Sequence, residues 1–148
     1  MIKIETKTFQ ELSTDELYSI LQLRSAIFVV EQDCVYQDLD GKDALAIHVL
    51  GKKEGELVAY TRIFAPGAYF KEASIGRVAV KKQERQFGYG REIMLASIKA
   101  VQDYFQESKI HLSAQTYLTQ FYQSLGFVAH GETYLEDDIP HIAMFKTK

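Results

Sequence analysis

The sequence predicts a single α/β domain, a sheet covered by amphipathic helices, and three observations carry that reading. At 148 residues, 47% hydrophobic and 25% charged, the chain suits one domain with a real core and is short for two. Apolar stripes of helical period alternate along it with strand-like runs. Two prolines, nine glycines and no low-complexity run leave no linker, repeat or disordered arm, so residues 1–148 are expected to form one unit.

The same inventory narrows the function classes. The opening residues MIKIETKTF have no apolar signal core, and no window approaches the roughly 20 apolar residues of a membrane span, so a cytoplasmic chain with no membrane partner is expected. Cys34 is the one cysteine, which excludes an intrachain disulfide and a thiolate-rich zinc site. A net charge of −3, with lysines and arginines spread among acids, gives no footprint for nucleic acid.

The first helix is announced at Ser13, which makes a capping box with Glu16 ahead of an apolar stripe through Leu17, Ile20, Leu21, Ile27 and Phe28. It should run from about Thr14 to about Val30. Arg24 and Glu31 fall on or beside that stripe and need partners: each other, carbonyls of the next loop, or a cleft that they line. The following acids, Asp38, Asp40 and Asp43 around Gly41, fail as a calcium loop, because the first and twelfth positions are Tyr36 and Ile47. A polar turn with no metal is expected there.

Residues 44–51 and 56–64 read as two strands of a hairpin closed at KKEGE, where Gly55 can take positive φ. His48, in the first, is either a cleft residue or a hydrogen-bonded sheet histidine. A third strand, 73–80, follows the loop APGAYFKE. Beyond it Gly88 and Gly90 precede a helical face formed by Met94, Leu95, Ile98, Val101 and Phe105. Glycines at a helix start let the backbone approach an anion, which the free N–H groups attract; two glycines there can equally be an ordinary turn. A P-loop would need Lys and Ser or Thr after the last glycine, where Arg91 and Glu92 stand. A dinucleotide fingerprint would need a small residue at Ile93.

RQFGYG, Arg85 to Gly90, fits the R-x-x-G-x-G form of an acetyl-CoA motif. The strand KIHLSA follows, then QTYLTQFYQSLGFVAHGE, which is similar to an A-x-x-F-Y-x-x-x-G-F helix and strand. By these two motifs the chain resembles the GNAT N-acetyltransferase superfamily, and by LRSAIFVVEQDCVYQDLDGKD and YLEDDIPHIAM its ElaA-like branch. The resemblance implies a mixed, mainly antiparallel central sheet with helices on both faces, acetyl-CoA as cosubstrate, a small-molecule or peptide amine as acceptor, and a homodimer, since relatives often dimerise. It implies that Arg85, Gln86, Phe87, Gly88, Tyr89, Gly90 and Arg91 hold the pyrophosphate through backbone amides. The strand Val78, Ala79 and Val80 would receive the pantetheine arm and thioester carbonyl, and Tyr122 would protonate the leaving thiolate. The chain departs from many relatives just before the glycine loop, where Ser74, Ile75, Gly76 and Arg77 replace a segment carrying a glutamate base.

Acetyl transfer needs an anchored thioester, a polarised carbonyl, a neutral amine and a protonated leaving group. Tyr122 shares an apolar face with Leu118, Phe121 and Leu125 on a short helix ended by Gly126, so its ring packs and only its hydroxyl is open to chemistry. For the base, Glu31, His48 and His141 are candidates, with Glu136 and Asp137 beside them, and a water relay serves equally. The acids of LEDDIPH suit a cationic amine and also read as a solvated turn. An acetyl-cysteine at Cys34 would need an adjacent base and an activated thiolate, and EQDCVYQ offers neither. Two other classes stay open from the residues alone: a module that senses acyl-CoA without turnover, and a nucleotide-binding domain.

Overall fold

Side-chain alternation in the strands decides the layering. In the computed structural model, which describes residues 2–147, seven strands form one sheet in the order β1 (Lys3–Thr8), β2 (Ile47–Lys53), β3 (Glu56–Phe64), β4 (Ala73–Val80), β5 (Ile110–Gln115), β7 (Ile139–Lys146), β6 (Val128–Glu136). Neighbours pair antiparallel except β4 with β5, which are parallel. The mixed, mainly antiparallel sheet expected from the resemblance is therefore present.

Helices lie on both faces. On one, Ile20, Leu23 and Ile27 pack against Leu50, Tyr60 and Ala79. They belong to α1 (Thr14–Arg24) and its continuation, Ser25–Glu31, which is wound as a π-helix. On the other face, Ile93, Met94 and Val101 of α2 (Tyr89–Phe105) pack with Val49, Ala59 and Ile63. The short α3 (Thr119–Gln123) adds Tyr122 to the same side. Successive strand residues, Val49 and Leu50 or Ala59 and Tyr60, thus serve opposite layers, as a period of two requires. Each fully buried aliphatic among them contributes about 1.5–3 kcal/mol.

Ser13 caps α1 as expected: Glu16 N–H donates to Ser13 Oγ at 3.0 Å, and Glu16 Oε1 accepts from Ser13 N–H at 2.9 Å. The helix does not end at Val30 in α form; the winding widens after Arg24, and an inserted residue per turn is what a stripe of period 3.6 cannot announce. The hairpin turns at Glu54 and Gly55, φ +51° and +82°, the left-handed pair of a type I′ turn. Its first strand starts at Ile47, later than residue 44, because Asp43–Leu45 form a 3₁₀ turn.

One irregularity shapes the site. In β4, Ala73 and Ile75 face α2, and an unbroken strand would turn Val78 and Val80 to the α1 side. The pairing with β3 slips between Tyr60 and Arg62, and Arg77 sits in the extra position at φ +52°. That bulge flips the alternation, so Val78 and Val80 join the α2-side core while Ala79 faces α1.

Candidate active site between two diverging strands

β4 and β5 are paired at Ala73 with Ile110 and Ser74 with His111. β4 continues to Val80 and β5 to Gln115, and the space between them opens into a cleft of about 390 Å³. Ile27, Phe28 and Glu31 line it from the α1 side, and Val80, Phe121 and Tyr122 from the α2 side. It therefore passes through the split in the sheet, and the cleft-side edge of β4 beyond Ser74 has no strand against it.

The N-terminus of α2 stands at this cleft. Its N-cap is Gly88, φ +77°, a left-handed position that glycine adopts without strain, and no side chain caps it. The first backbone bond is Glu92 N–H to Gly88 C=O at 3.2 Å, which leaves the N–H groups of Tyr89, Gly90 and Arg91 without intrahelical partners. Gly90 lines the cleft, and a Cβ there would meet Phe121 Cζ at 3.7 Å and Val80 Cγ2 at 3.8 Å. Backbone can come close to a ligand here and a bulky side chain cannot. Free amides, a glycine surface and the positive helix end fit a phosphate group.

Arg85 also lines the cleft. Its Nε–H donates to the Val80 carbonyl at 3.0 Å, and its two Nη atoms hold Glu31 at 2.5 and 2.8 Å, a bidentate pair between the glycine loop and the π-wound turn. Those bonds hold the Glu31 carboxyl below its usual range. Glu31 is thus a counter-ion, a poor proton acceptor. Tyr122 is 5% exposed, and its hydroxyl has no hydrogen-bond partner among the described residues. Burial pushes it well above the ordinary phenol range, so it keeps its proton.

His141 is buried at the other wall. Nδ1 lies 2.7 Å from the Ile139 carbonyl, so it carries the proton and leaves a lone pair on Nε2. Glu136 Oε2 is 3.8 Å from that Nε2, and Oε1 accepts from Ser113 Oγ at 3.1 Å. The cleft therefore brings together Val78, Val80, Arg85, Gly90, Tyr122, Glu31 and His141.

It does not bring in His48. That ring is fully buried on the α1 face, with Nε2–H donating to the Asp43 carbonyl at 2.9 Å and Nδ1 accepting from Tyr60 OH at 2.6 Å; burial lowers its pKa and keeps it neutral. His48 is a sheet histidine and is withdrawn from the catalytic candidates. Ala79 and Tyr89 turn their side chains into the two cores. Phe87 lies under Lys53 Nζ, 4.6 Å from the ring centre, and Arg91 reaches Ser124 at 3.4 Å. With Gln86 and Gly88, these residues lend the cleft no lining side chain.

Cys34 donates to the Asp137 carbonyl at 3.1 Å, outside the cleft lining, and burial together with Asp137 and Asp138 pushes its thiol up, away from a thiolate nucleophile.

Tyr36, Arg77 and Ser113 line the cleft without having been singled out by a motif. Arg77 and Tyr36 arrive there through Asp38, which holds both, Arg77 Nε at 2.8 Å and Tyr36 OH at 3.4 Å. Asp38, Asp40 and Asp43 are no open turn: they neutralise Arg24, Arg62 and Arg77, with Arg24 entirely buried on Asp38 at 2.9 Å and Asp43 at 2.7 Å. Among the described residues, no group of three or more His, Cys, Asp or Glu is placed to hold a metal ion, and no helix is long and apolar enough to cross a membrane.

The family model of an acetyltransferase (GNAT) domain matches residues 12–148. Protein ElaA of Escherichia coli is 42% identical over 146 residues, covering 97% of this chain and 95% of that protein. Among solved structures, an acyl-CoA N-acyltransferase from Pseudomonas aeruginosa superposes with a TM-score of 0.92 at 39% identity, and E. coli ElaA with 0.91 at 41%; each pair covers 99% of both chains.

Proposed function

Because the chain belongs to the GNAT acetyltransferase family, we propose that it is an N-acetyltransferase that moves an acetyl group from acetyl-CoA directly to a primary amine. The open split between β4 and β5, with an uncapped helix end on one side and the buried, protonated Tyr122 within, is the observation that carries this reading. The backbone amides of residues 88–91 take the pyrophosphate, and the Arg85–Glu31 pair braces the loop beside it. The free edge of β4 at Val78 and Val80 receives the pantetheine arm and polarises the thioester carbonyl.

The acceptor enters from the His141 side. His141 Nε2 takes a proton from the ammonium, and Glu136 at 3.8 Å stabilises the imidazolium. The amine nitrogen attacks the carbonyl carbon, a C–N bond forms as the C–S bond breaks, Tyr122 gives its proton to the departing sulfur, and the second proton shed by the nitrogen as it becomes an amide returns through water to the Tyr122 oxygen. With Glu31 tied to Arg85 and His48 enclosed in the sheet, His141 is the candidate imidazole that lines the cleft with a free Nε2 lone pair. The cosubstrate is drawn from the cytoplasmic pool of acetyl-CoA.

Calorimetric titration with acetyl-CoA, with ATP and NAD as controls, followed by thiol release against a panel of primary amines, tests the reading. Saturable binding of acetyl-CoA alone and amine-dependent thiol release are expected. Binding without release for any amine would make the protein an acyl-CoA sensor, and preference for ATP or NAD would overturn the family's chemistry in this chain.

A further inference from the structure

The hairpin that joins β6 to β7 gives the cleft one continuous wall, through Glu136, Asp137, Ile139 and His141. It turns at Asp137 and Asp138, φ +52° and +62°. The turn is fastened to the segment that follows the π-wound stretch, where the Cys34 thiol donates to the Asp137 carbonyl at 3.1 Å. That contact brings Asp33 to the same spot: after burial, the charges of Asp137, Asp138 and Asp33 are what raise the thiol. Three carboxylates and Glu136 therefore gather at one end of the cleft.

Among the described residues nothing balances this charge. Asp33, Asp137 and Asp138 have no ion-pair partner there, and Glu136 has only His141 at 3.8 Å. The two arginines of the cleft are held by other acids, Arg77 by Asp38 at 2.8 Å and Arg85 by Glu31 at 2.5 and 2.8 Å, and no described lysine lines it. The spacing of the acids does not suit a metal ion. Carboxylates gathered without a counter-ion repel one another, and an organic cation relieves that repulsion. A separate observation points into the same space. His141 is 6% exposed, its Nδ1–H is bonded to the Ile139 carbonyl, and its Nε2 has no hydrogen-bond partner among the described residues. A buried acceptor of that kind calls for a donor, and an ammonium N–H supplies one.

Resting on the acyl-transfer reading above, we propose that the acceptor is a small aliphatic diamine. One nitrogen lies at His141 Nε2 and Glu136, loses its proton and is acetylated; the other stays protonated among Asp137, Asp138 and Asp33. Ile139, between these two groups on the same wall, meets the methylenes. The transfer converts the dication and acetyl-CoA into the monoacetylated cation and free thiol, with one proton passed by His141 to solvent. The product carries one charge fewer than the substrate, which favours its release. Both charges are met by residues 136–141 and Asp33, so one short chain satisfies them, whereas a lone lysine side chain carries a single charge. A carboxylate at the far end of the chain is repelled.

The test compares kcat/KM for thiol release, at saturating acetyl-CoA, among amines that share an aminobutyl chain and differ at its end: 1,4-diaminobutane, 4-aminobutan-1-ol, pentylamine and 5-aminopentanoate. The diamines with a three-carbon and a five-carbon chain are run against their own amino alcohols. The best diamine is expected to exceed its alcohol about tenfold, the effect of one ammonium beside several partly exposed carboxylates, and the aminopentanoate to be slowest. Added salt should narrow the gap, since these charges face water. The amines differ in basicity, so the decisive reading is how the diamine-to-alcohol ratio changes in the double variant Asp137→Asn, Asp138→Asn. Asparagine accepts positive φ at both positions, so the turn is kept while its two charges are removed. The ratio should fall toward one. Thiol release without any diamine preference, or a preference that survives the double variant, would overturn the diamine site and leave acyl transfer standing. A blocked lysyl-lysine favoured over every diamine would overturn it in favour of a basic peptide. No thiol release with any amine would defeat the acyl-transfer reading and the diamine site with it.

Discussion

The two long helices begin in opposite ways. At α1 the side chains of Ser13 and Glu16 satisfy the end reciprocally, and Lys7 and Lys52 hold Glu16 at 2.7 and 2.8 Å. At α2 the N-cap is a glycine with positive φ, no side chain reaches back, and the free amides stand at a cleft. A helix start that serves only stability closes on itself, since each unmet N–H costs free energy. One that leaves the same groups open on a glycine gives up only roughly a few tenths of a kcal/mol of capping, and a ligand phosphate more than offsets it.

The sharpest way to break this contrast is Gly90→Val. The branched side chain would press on Phe121 and Val80, already 3.7 and 3.8 Å from the position of a Cβ. Acetyl-CoA affinity, read by calorimetry, should fall about a hundredfold, the loss of one or two charge-assisted hydrogen bonds, while the circular dichroism spectrum stays folded. Unchanged affinity would reduce the α2 end to a simple turn.

Tyr122→Phe separates binding at that end from chemistry beyond it. It should lower kcat about a hundredfold and leave the KM for acetyl-CoA nearly unchanged, as removal of a proton donor does; matched rates would return Tyr122 to the core.

Ser13→Ala probes the closed end, and should cost about 1 kcal/mol in chemical denaturation with no change in acetyl-CoA affinity. The same end carries a pH signature. Burial alone would raise the Glu16 carboxyl, but bonds from Lys52, Lys7 and Ser13 N–H outweigh it and bring the value down to about 2 from 4.5. Its folded value lies below its unfolded one, so the stabilisation is complete above pH 4.5 and is lost as pH falls toward 2. Denaturation midpoints flat across pH 5 to 2 would contradict the arrangement. The smallest effect belongs to neither end: Cys34→Ala should leave turnover intact, and loss of activity with a trappable acetyl-protein adduct would overturn direct transfer.

What the chain disclosed in advance was local. Ser13 with Glu16, Gly55 in the hairpin turn, and Gly126 after α3 each work within a few residues, and each is found as read: Gly126, at φ +98°, ends α3 with Phe127 N–H donating to the Tyr122 carbonyl at 3.1 Å. What it hid was long-range. Asp38, Asp40 and Asp43 read as a polar turn because their partners, Arg24, Arg62 and Arg77, lie 14 to 39 residues away. The bulge at Arg77 carries no glycine, the usual sign of a positive φ, and so the flip that brings Val78 and Val80 to the cleft was invisible. Glu31 and Arg85, 54 residues apart, were each picked out for a role in the site, and their mutual pairing appears only in the fold.

The slight join between β4 and β5 has a mechanical meaning. Four strands on one side and three on the other meet through two residue pairs, Ala73 with Ile110 and Ser74 with His111, so the sheet behaves as two stiff plates on a short hinge. A molecule lying in the gap and bonded to both edges acts as a splint, replacing the ladder that the strands do not make with each other. Loading the protein with acetyl-CoA should therefore slow amide hydrogen exchange along both β4 and β5, including residues that the molecule does not touch, because the plates lose their freedom to flex.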